Sequence, residues 1–240
     1  MRLCLSFVSI LLLAAVPPLA APADSPEGIF EHTRSVYAAL TSYSDSGTVT
    51  KEYTATSQDK YNFATHFNRA PRHFIFDFNK PSGDRIVVWG DPDAFHVWWK
   101  ATTQVTDYPN PKNTGAITLN SYPTADSITK IVPLLYAKAG LPGALAHFEP
   151  SRVTGMEDVG GGKCYRLEGA SGDVYGGTGK KVNVRNVTVW IDSSSSLVRK
   201  IIEEAPASPG MLNRVTTTFD PQANPPLSED LFKFAPPKVS

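Results

Sequence analysis

Cysteine is nearly absent from this 240-residue chain; the two present are Cys4 and Cys164. Cys4 falls inside an N-terminal segment built like an export leader, so the mature chain keeps one thiol and no internal disulfide is available. Excess charge is absent too: 23 basic residues face 23 acidic ones, and losing Arg2 with the leader leaves one net negative charge. Without a basic stripe there is no footprint for nucleic acid, and without an acidic tail none for a charge-driven partner. The one long apolar run, Leu3 to Val16, is too short for a membrane span. It follows Arg2 and leads to Ala21-Pro22-Ala23, a small-residue cleavage site before Asp24. Cys4 comes too early for a lipoprotein cleavage box. The expectation is a signal peptide over residues 1–23 and one exported, soluble domain over 24–240.

Signatures of common chemistries are missing as well. The five histidines, His32, His66, His73, His96 and His147, show no paired metal-ligand spacing. There is no Gly-Xaa-Ser-Xaa-Gly nucleophile elbow. Gly176-Gly177-Thr178-Gly179-Lys180-Lys181 imitates a phosphate loop but has Lys181 where Ser or Thr should hold magnesium, and it precedes a strand. Glu203 and Glu204 are consecutive strand residues and point to opposite faces, so they do not form a carboxylate pair. The reading is a protein that is not an enzyme and carries no cofactor and no metal.

Strand patterns dominate what is present. A helix opens the mature chain: Ser25 can cap it, Pro26 suits its first position, and Glu27 complements the dipole. Ile29, Thr33, Val36 or Tyr37, and Leu40 give it one apolar stripe. A hairpin follows, Ser46 to Tyr53 with Lys60 to Asn68, turning near Ser57-Gln58-Asp59. Phe74, Phe76 and Phe78 then alternate with His73, Ile75 and Asp77, and the strands 85–89, 95–100 and 102–108 come next. After a break the pattern resumes at 152–159, 163–169, 182–192, 197–204 and 211–220. Gly-rich residues 169–181 read as a hairpin loop. Cys164 sits in an alternating strand and reads as a small buried hydrophobe. Phe232-Lys233-Phe234 reads as a closing strand stopped by Pro236 and Pro237.

Between these two sets of strands, residues 125–148 are apolar but punctuated by Pro133, Gly140 and Pro142. They read as short helices, Ala125 to Val132, Pro133 to Ala139 and Pro142 to His147, lying over the sheet as a lid. Several strands are apolar on both faces: Ile86 and Val88 oppose Val87 and Trp89, and Trp98 adjoins Trp99. Such strands call for a second apolar surface, a cavity or a groove. The fold class expected is mainly β: an incomplete antiparallel barrel of about ten strands, with an N-terminal helix and a helical lid.

Residues 69–74 (Arg-Ala-Pro-Arg-His-Phe), the hairpin 187–201 (Val-Thr-Val-Trp-Ile-Asp, a turn, then Leu-Val-Arg-Lys-Ile) and the ending 232–237 (Phe-Lys-Phe-Ala-Pro-Pro) resemble the LolA-like superfamily of periplasmic outer-membrane lipoprotein carriers and sorting factors. The resemblance implies a half-barrel that holds lipoprotein acyl chains or another lipid in an apolar cavity. It implies as partners an inner-membrane releasing transporter and an outer-membrane acceptor. Cavity candidates are Phe74, Phe76, Phe78, Trp89, Trp99, Ile131, Leu134 and Leu135. The family's lid-gating arginine stands directly before a proline; here Ala70 intervenes, so Arg69 or Arg72 takes that part. The same superfamily includes proteins that resemble envelope-stress regulators, so a sensor or partner-binding module without transport is the alternative.

Overall fold

The structure, a computed structural model, describes residues 25–80, 82–90, 94–109, 131, 135, 145, 147–175 and 180–237. The leader and most of 125–148 lie outside them. Helix α1 (Pro26–Ala39) starts as its sequence dictates: the Ser25 hydroxyl accepts the Gly28 N–H at 3.1 Å, and Pro26 needs no donor there. It buries Phe30, Thr33 and Tyr37, and its capping residue Leu40 leaves the helix in an extended conformation.

Twelve strands follow: β1 (Ser42–Glu52), β2 (Gln58–Arg69), β3 (Arg72–Asn79), β4 (Arg85–Gly90), β5 (Ala94–Trp99), β6 (Gln104–Pro109), β7 (Glu149–Val159), β8 (Gly162–Tyr175), β9 (Lys180–Asp192), β10 (Val198–Glu204), β11 (Arg214–Phe219) and the short β12 (Gln222–Ala223). They form one antiparallel sheet in the order β6-β5-β4-β3-β2-β1-β11-β10-β9-β8-β7, with β12 also on β1. Among the described residues β6 and β7 end the sheet and do not pair with each other, so it stays open as the expected incomplete barrel does. β1 is the seam. It pairs with its neighbour β2 along Ser42 to Glu52 and, on its other side, with β11 from far down the chain.

Three local readings change. The first hairpin turns at Tyr53–Ser57, where the Thr54 hydroxyl accepts the Ser57 N–H at 3.0 Å and the ladder already resumes at Gln58. The Gly-rich stretch is largely strand: β8 continues to Tyr175 and β9 begins at Lys180, leaving 176–179 outside the described residues. Gly169 belongs in that ladder because a Cβ there would come within 2.1 Å of the Glu149 carbonyl oxygen.

The third change concerns the closing segment. Glu229–Phe232 is a 3-10 turn whose Ser228 hydroxyl accepts the Asp230 N–H at 3.3 Å, and 233–237 follow as irregular chain. Phe232 and Phe234 therefore do not form a last strand. They lie across the outer face of β3–β5, in a cluster with Ile75, Val87, Trp98, Trp89 and Leu227. The two-sided apolar strands thus have a partner for each face: the main core on one, the tail of the same chain on the other. The outward-facing half of that pattern is satisfied by the tail and does not require a cavity.

Candidate functional site

The face of the sheet covered by α1 carries the main core. Strand alternation sends Phe74, Phe76 and Phe78 to it together, joined by Ile86, Val88, Phe95 and Val97, with Trp99 half-buried beside them. The rings form a continuous path: Tyr61 stacks on Phe78 at 4.8 Å, Phe78 meets Phe76 at 6.2 Å, and Phe76 lies 5.9 Å from Phe63. Ile131, Leu135, Leu145 and Phe148 close over the same cluster, and Phe148 meets Phe30 of α1 edge-on at 5.1 Å. The Leu135 N–H donates to the Ile131 carbonyl at 3.2 Å, a bond of helical spacing that runs from the first expected lid helix into the second.

Six of the eight cavity candidates come together here: the three phenylalanines, Trp99, Ile131 and Leu135. Trp89 does not. It follows Val88, which faces the core, so it points outward, packing on Phe234 at 4.9 Å and on the His96 ring at 5.1 Å. Leu134 lies outside the described residues.

Arg69 ends β2 where three chain segments meet. Its Nε donates to the Leu40 carbonyl at 2.6 Å, and one Nη donates to the carbonyls of Tyr37 at 3.3 Å and Leu135 at 3.2 Å. Tyr37 and Leu40 belong to the C-terminal end of α1, where the helix dipole is negative and the Tyr37 carbonyl accepts, from the backbone, only the capping Leu40 N–H at 3.3 Å, so a guanidinium suits the position. The third bond reaches across to Leu135, in the segment expected to form the lid. Arg69 stays exposed to solvent and stacks over Phe67 at 5.2 Å. Arg72 pairs with Arg69 in the ladder and is half-buried.

Sequence reasoning missed a polar group inside this face. Tyr43 and Asp45 share the inward parity of Val49, and the Tyr43 hydroxyl donates to Asp45 Oδ2 at 2.7 Å in full burial. Tyr37 from α1 completes the group by accepting the Val198 N–H at 3.1 Å. Burial pushes the Asp45 carboxyl up to about 6 against the pull of hydrogen bonds from Tyr43 and Thr65, and burial raises both tyrosines. Glu203, which shares the inward parity of Ile201, is also buried, with Arg185 at 3.5 Å. Strand parity counted from Val49 and Ile201 was the signal available for both. His66 and His73 are opposite Ile75 and Asn68; His66 Nδ1 lies 3.0 Å from the Ser44 hydroxyl, and His73 packs on Phe232. Cys164 is buried and free, as its strand pattern implies, and burial raises its thiol.

No curated protein matches the sequence. Solved structures similar to it include the lipoprotein LppX of Mycobacterium tuberculosis, at 12% identity over 85% of this chain and 97% of that one, with a TM-score of 0.48. A LolA superfamily protein, NE2245 of Nitrosomonas europaea, aligns at 13% identity over 88% of this chain and 99% of its own, with a TM-score of 0.39. The MucA/MucB complex of Pseudomonas aeruginosa aligns at 14% identity over 89% and 62%, with a TM-score of 0.44. The family described as "Predicted periplasmic protein (DUF2092)" matches residues 28–240. The chain belongs to that family of predicted periplasmic proteins.

Proposed function

We propose that this protein is a periplasmic acyl-chain carrier, one that takes hydrocarbon tails of a lipoprotein or another lipid between the covered sheet face and the segment bearing Ile131 and Leu135. Its place would be outer-membrane lipoprotein sorting, between a releasing transporter and an acceptor, with binding and release rather than catalysis as its work. The observation that carries the reading is the triple use of Arg69. Two of its bonds anchor it to the end of α1, and only the third ties down the lid segment. Breaking that one bond costs about 1 to 3 kcal/mol while the guanidinium stays anchored and solvated. A closure held this lightly suits a carrier, because each buried methylene contributes only about 0.8 kcal/mol and the cargo has to leave again.

The test is native mass spectrometry of protein purified from envelope extracts, followed by uptake of a fluorescent fatty acid. Bound lipid and saturable uptake are expected; a clean protein mass together with no uptake would sink the proposal. Arg69→Leu removes all three bonds, but only the one to Leu135 holds the closing segment, so exchange of the bound fatty acid should speed up about tenfold. Melting should fall by only a few degrees, about 2–4 °C per kcal/mol for a chain of this size. Equal loss of uptake and folding would make Arg69 a purely structural residue.

A further inference from the structure

A cavity of about 150 Å³ opens at the end of the covered face opposite Arg69. Tyr61, Phe78, Ile86 and Trp99 line it with apolar surface, and Lys51, Lys80 and Asp84 stand among them. Arg69 ends β2 and Tyr61 stands eight residues before it, which places this cavity about 26 Å from Arg69 along the strand. The aromatic path from Tyr61 through Phe78 and Phe76 leads inward from this cavity.

The charges at the opening are held in place. The tight loop joining β3 to β4 is closed by the Lys80 N–H on the Asp84 carbonyl and the Gly83 N–H on the Lys80 carbonyl, both at 2.8 Å. Asp84 Oδ1 accepts the Trp99 Nε1–H at 2.9 Å and the Arg85 N–H at 3.0 Å. Lys80 lies 3.1 Å from Asp59 and over the Tyr61 ring, and Arg85 is committed to Asp77. Lys51 makes no ion pair among the described residues, and it is half-buried at the wall of the cavity. A cavity with mixed apolar and charged walls therefore presents one cation that has no ion pair among the described residues and, beside Trp99, one fixed carboxylate.

We infer that this cavity is a headgroup site for an amphiphile whose phosphate carries an adjacent ammonium, a phosphoethanolamine group, with Lys51 facing the phosphate and Asp84 the ammonium. The first methylenes then lie on Phe78, Ile86 and Trp99. A purely anionic headgroup would meet the Asp84 carboxylate, and an uncharged one would leave Lys51 without a partner. The inference rests on the acyl-chain reading above and adds the class of lipid to it.

Calorimetric titration with three dodecyl probes below their micelle concentrations tests it: dodecylphosphoethanolamine, dodecyl phosphate and dodecyl maltoside. The expected order of affinity is as written. Lys51→Met, which keeps the apolar stem, should weaken the two phosphate probes about fivefold and leave the maltoside unchanged. Asp84→Asn, which keeps the acceptor for Trp99, should weaken only the phosphoethanolamine. Circular dichroism melts confirm that both variants fold. Equal binding of all probes by wild type and variants overturns the headgroup site and leaves the acyl-chain reading standing. Tighter dodecyl phosphate binding by Asp84→Asn, with no preference for phosphoethanolamine in the wild type, overturns the ammonium half. Failure of all three probes to bind removes the acyl-chain reading itself.

Discussion

Asp45 carries its carboxyl into the main core on a strand whose neighbours there are Tyr43 and Val49, and its stability effect has a definite sign. Its folded pKa of about 6 exceeds the reference 3.8, so folding favours the protonated form. That contribution is full below pH about 3.8 and is lost as pH rises through about 6, a difference of about 3 kcal/mol. Asp45→Asn, which still accepts the Tyr43 hydroxyl, should therefore be the more stable protein at pH 7.5 by about 1–3 kcal/mol. The gap should close near pH 4 in urea unfolding. Asp192 runs the other way. Burial opposes its charge, but the Ser194 hydroxyl and the Ser195 and Ser194 N–H groups overcome that and hold it at about 2. Its contribution is present above about pH 4 and lost as pH falls through about 2. A second residue-scale constraint is Gly47, where a Cβ would stand 2.0 Å from the Thr218 carbonyl oxygen and 2.5 Å from the Phe63 ring. Gly47→Ala should cost at least about 2 kcal/mol, read as a lowered urea midpoint at unchanged slope. Little of this was legible in the sequence. A buried aspartate differs from an exposed one only by strand parity, and parity becomes decisive only when the register of β1 on both β2 and β11 is known.

The element that changed most is the tail. Phe-Lys-Phe alternates like a strand, but alternation over three residues cannot separate a strand from a strap whose two rings drop into one patch. The signals against a strand were already there: Ser228 before Glu229 and Asp230 is a capping pattern, and Pro225, Pro226, Pro236 and Pro237 remove donors on both sides. Phe232 and Phe234 reach His73, Trp89 and Trp98 at ring separations of 4.9–5.5 Å. Replacing both by alanine should uncover Ile75, Val87 and Trp98. A red-shifted tryptophan emission, stronger binding of a hydrophobic dye and a loss of about 3–5 kcal/mol are expected. An unchanged emission spectrum would show that the strap does not cover these rings in solution. The long strands, by contrast, could be read closely. β3, β4, β5, β9 and β10 lie within a residue or two of their sequence limits, because alternation over five or more residues with Gly, Pro or Ser at the ends leaves few other states.

At the scale of the molecule, everything hangs on one long-range pairing. β2 to β6 are joined in chain order, as are β7 to β11, and the two runs meet only where β1 pairs with β11. That contact links residues 47–52 to 214–219, so the sheet cannot be completed until the last ladder forms. Hydrogen exchange should be slowest in β1, β2, β10 and β11, and fastest in the free edges β6 and β7. Fast exchange in β1 with slow exchange in β6 would contradict the topology. The open sheet with one helix on it was legible from strand count and short connections. The order that places β11 beside β1 was not, since no local pattern records a partner more than 160 residues away.

The tail has a mechanical consequence. Across β3–β5 the sheet is sandwiched between core and strap, three layers thick, whereas the outer side of β8–β10 is covered only by side chains of its own strands, Arg166 and Lys200 over the Trp190 ring and Arg166 paired with Glu168. A thick plate bends less than a thin one. Any change in the volume of the core should be accommodated on the two-layer side, so the half of the sheet under the strap stays rigid while the opposite half flexes.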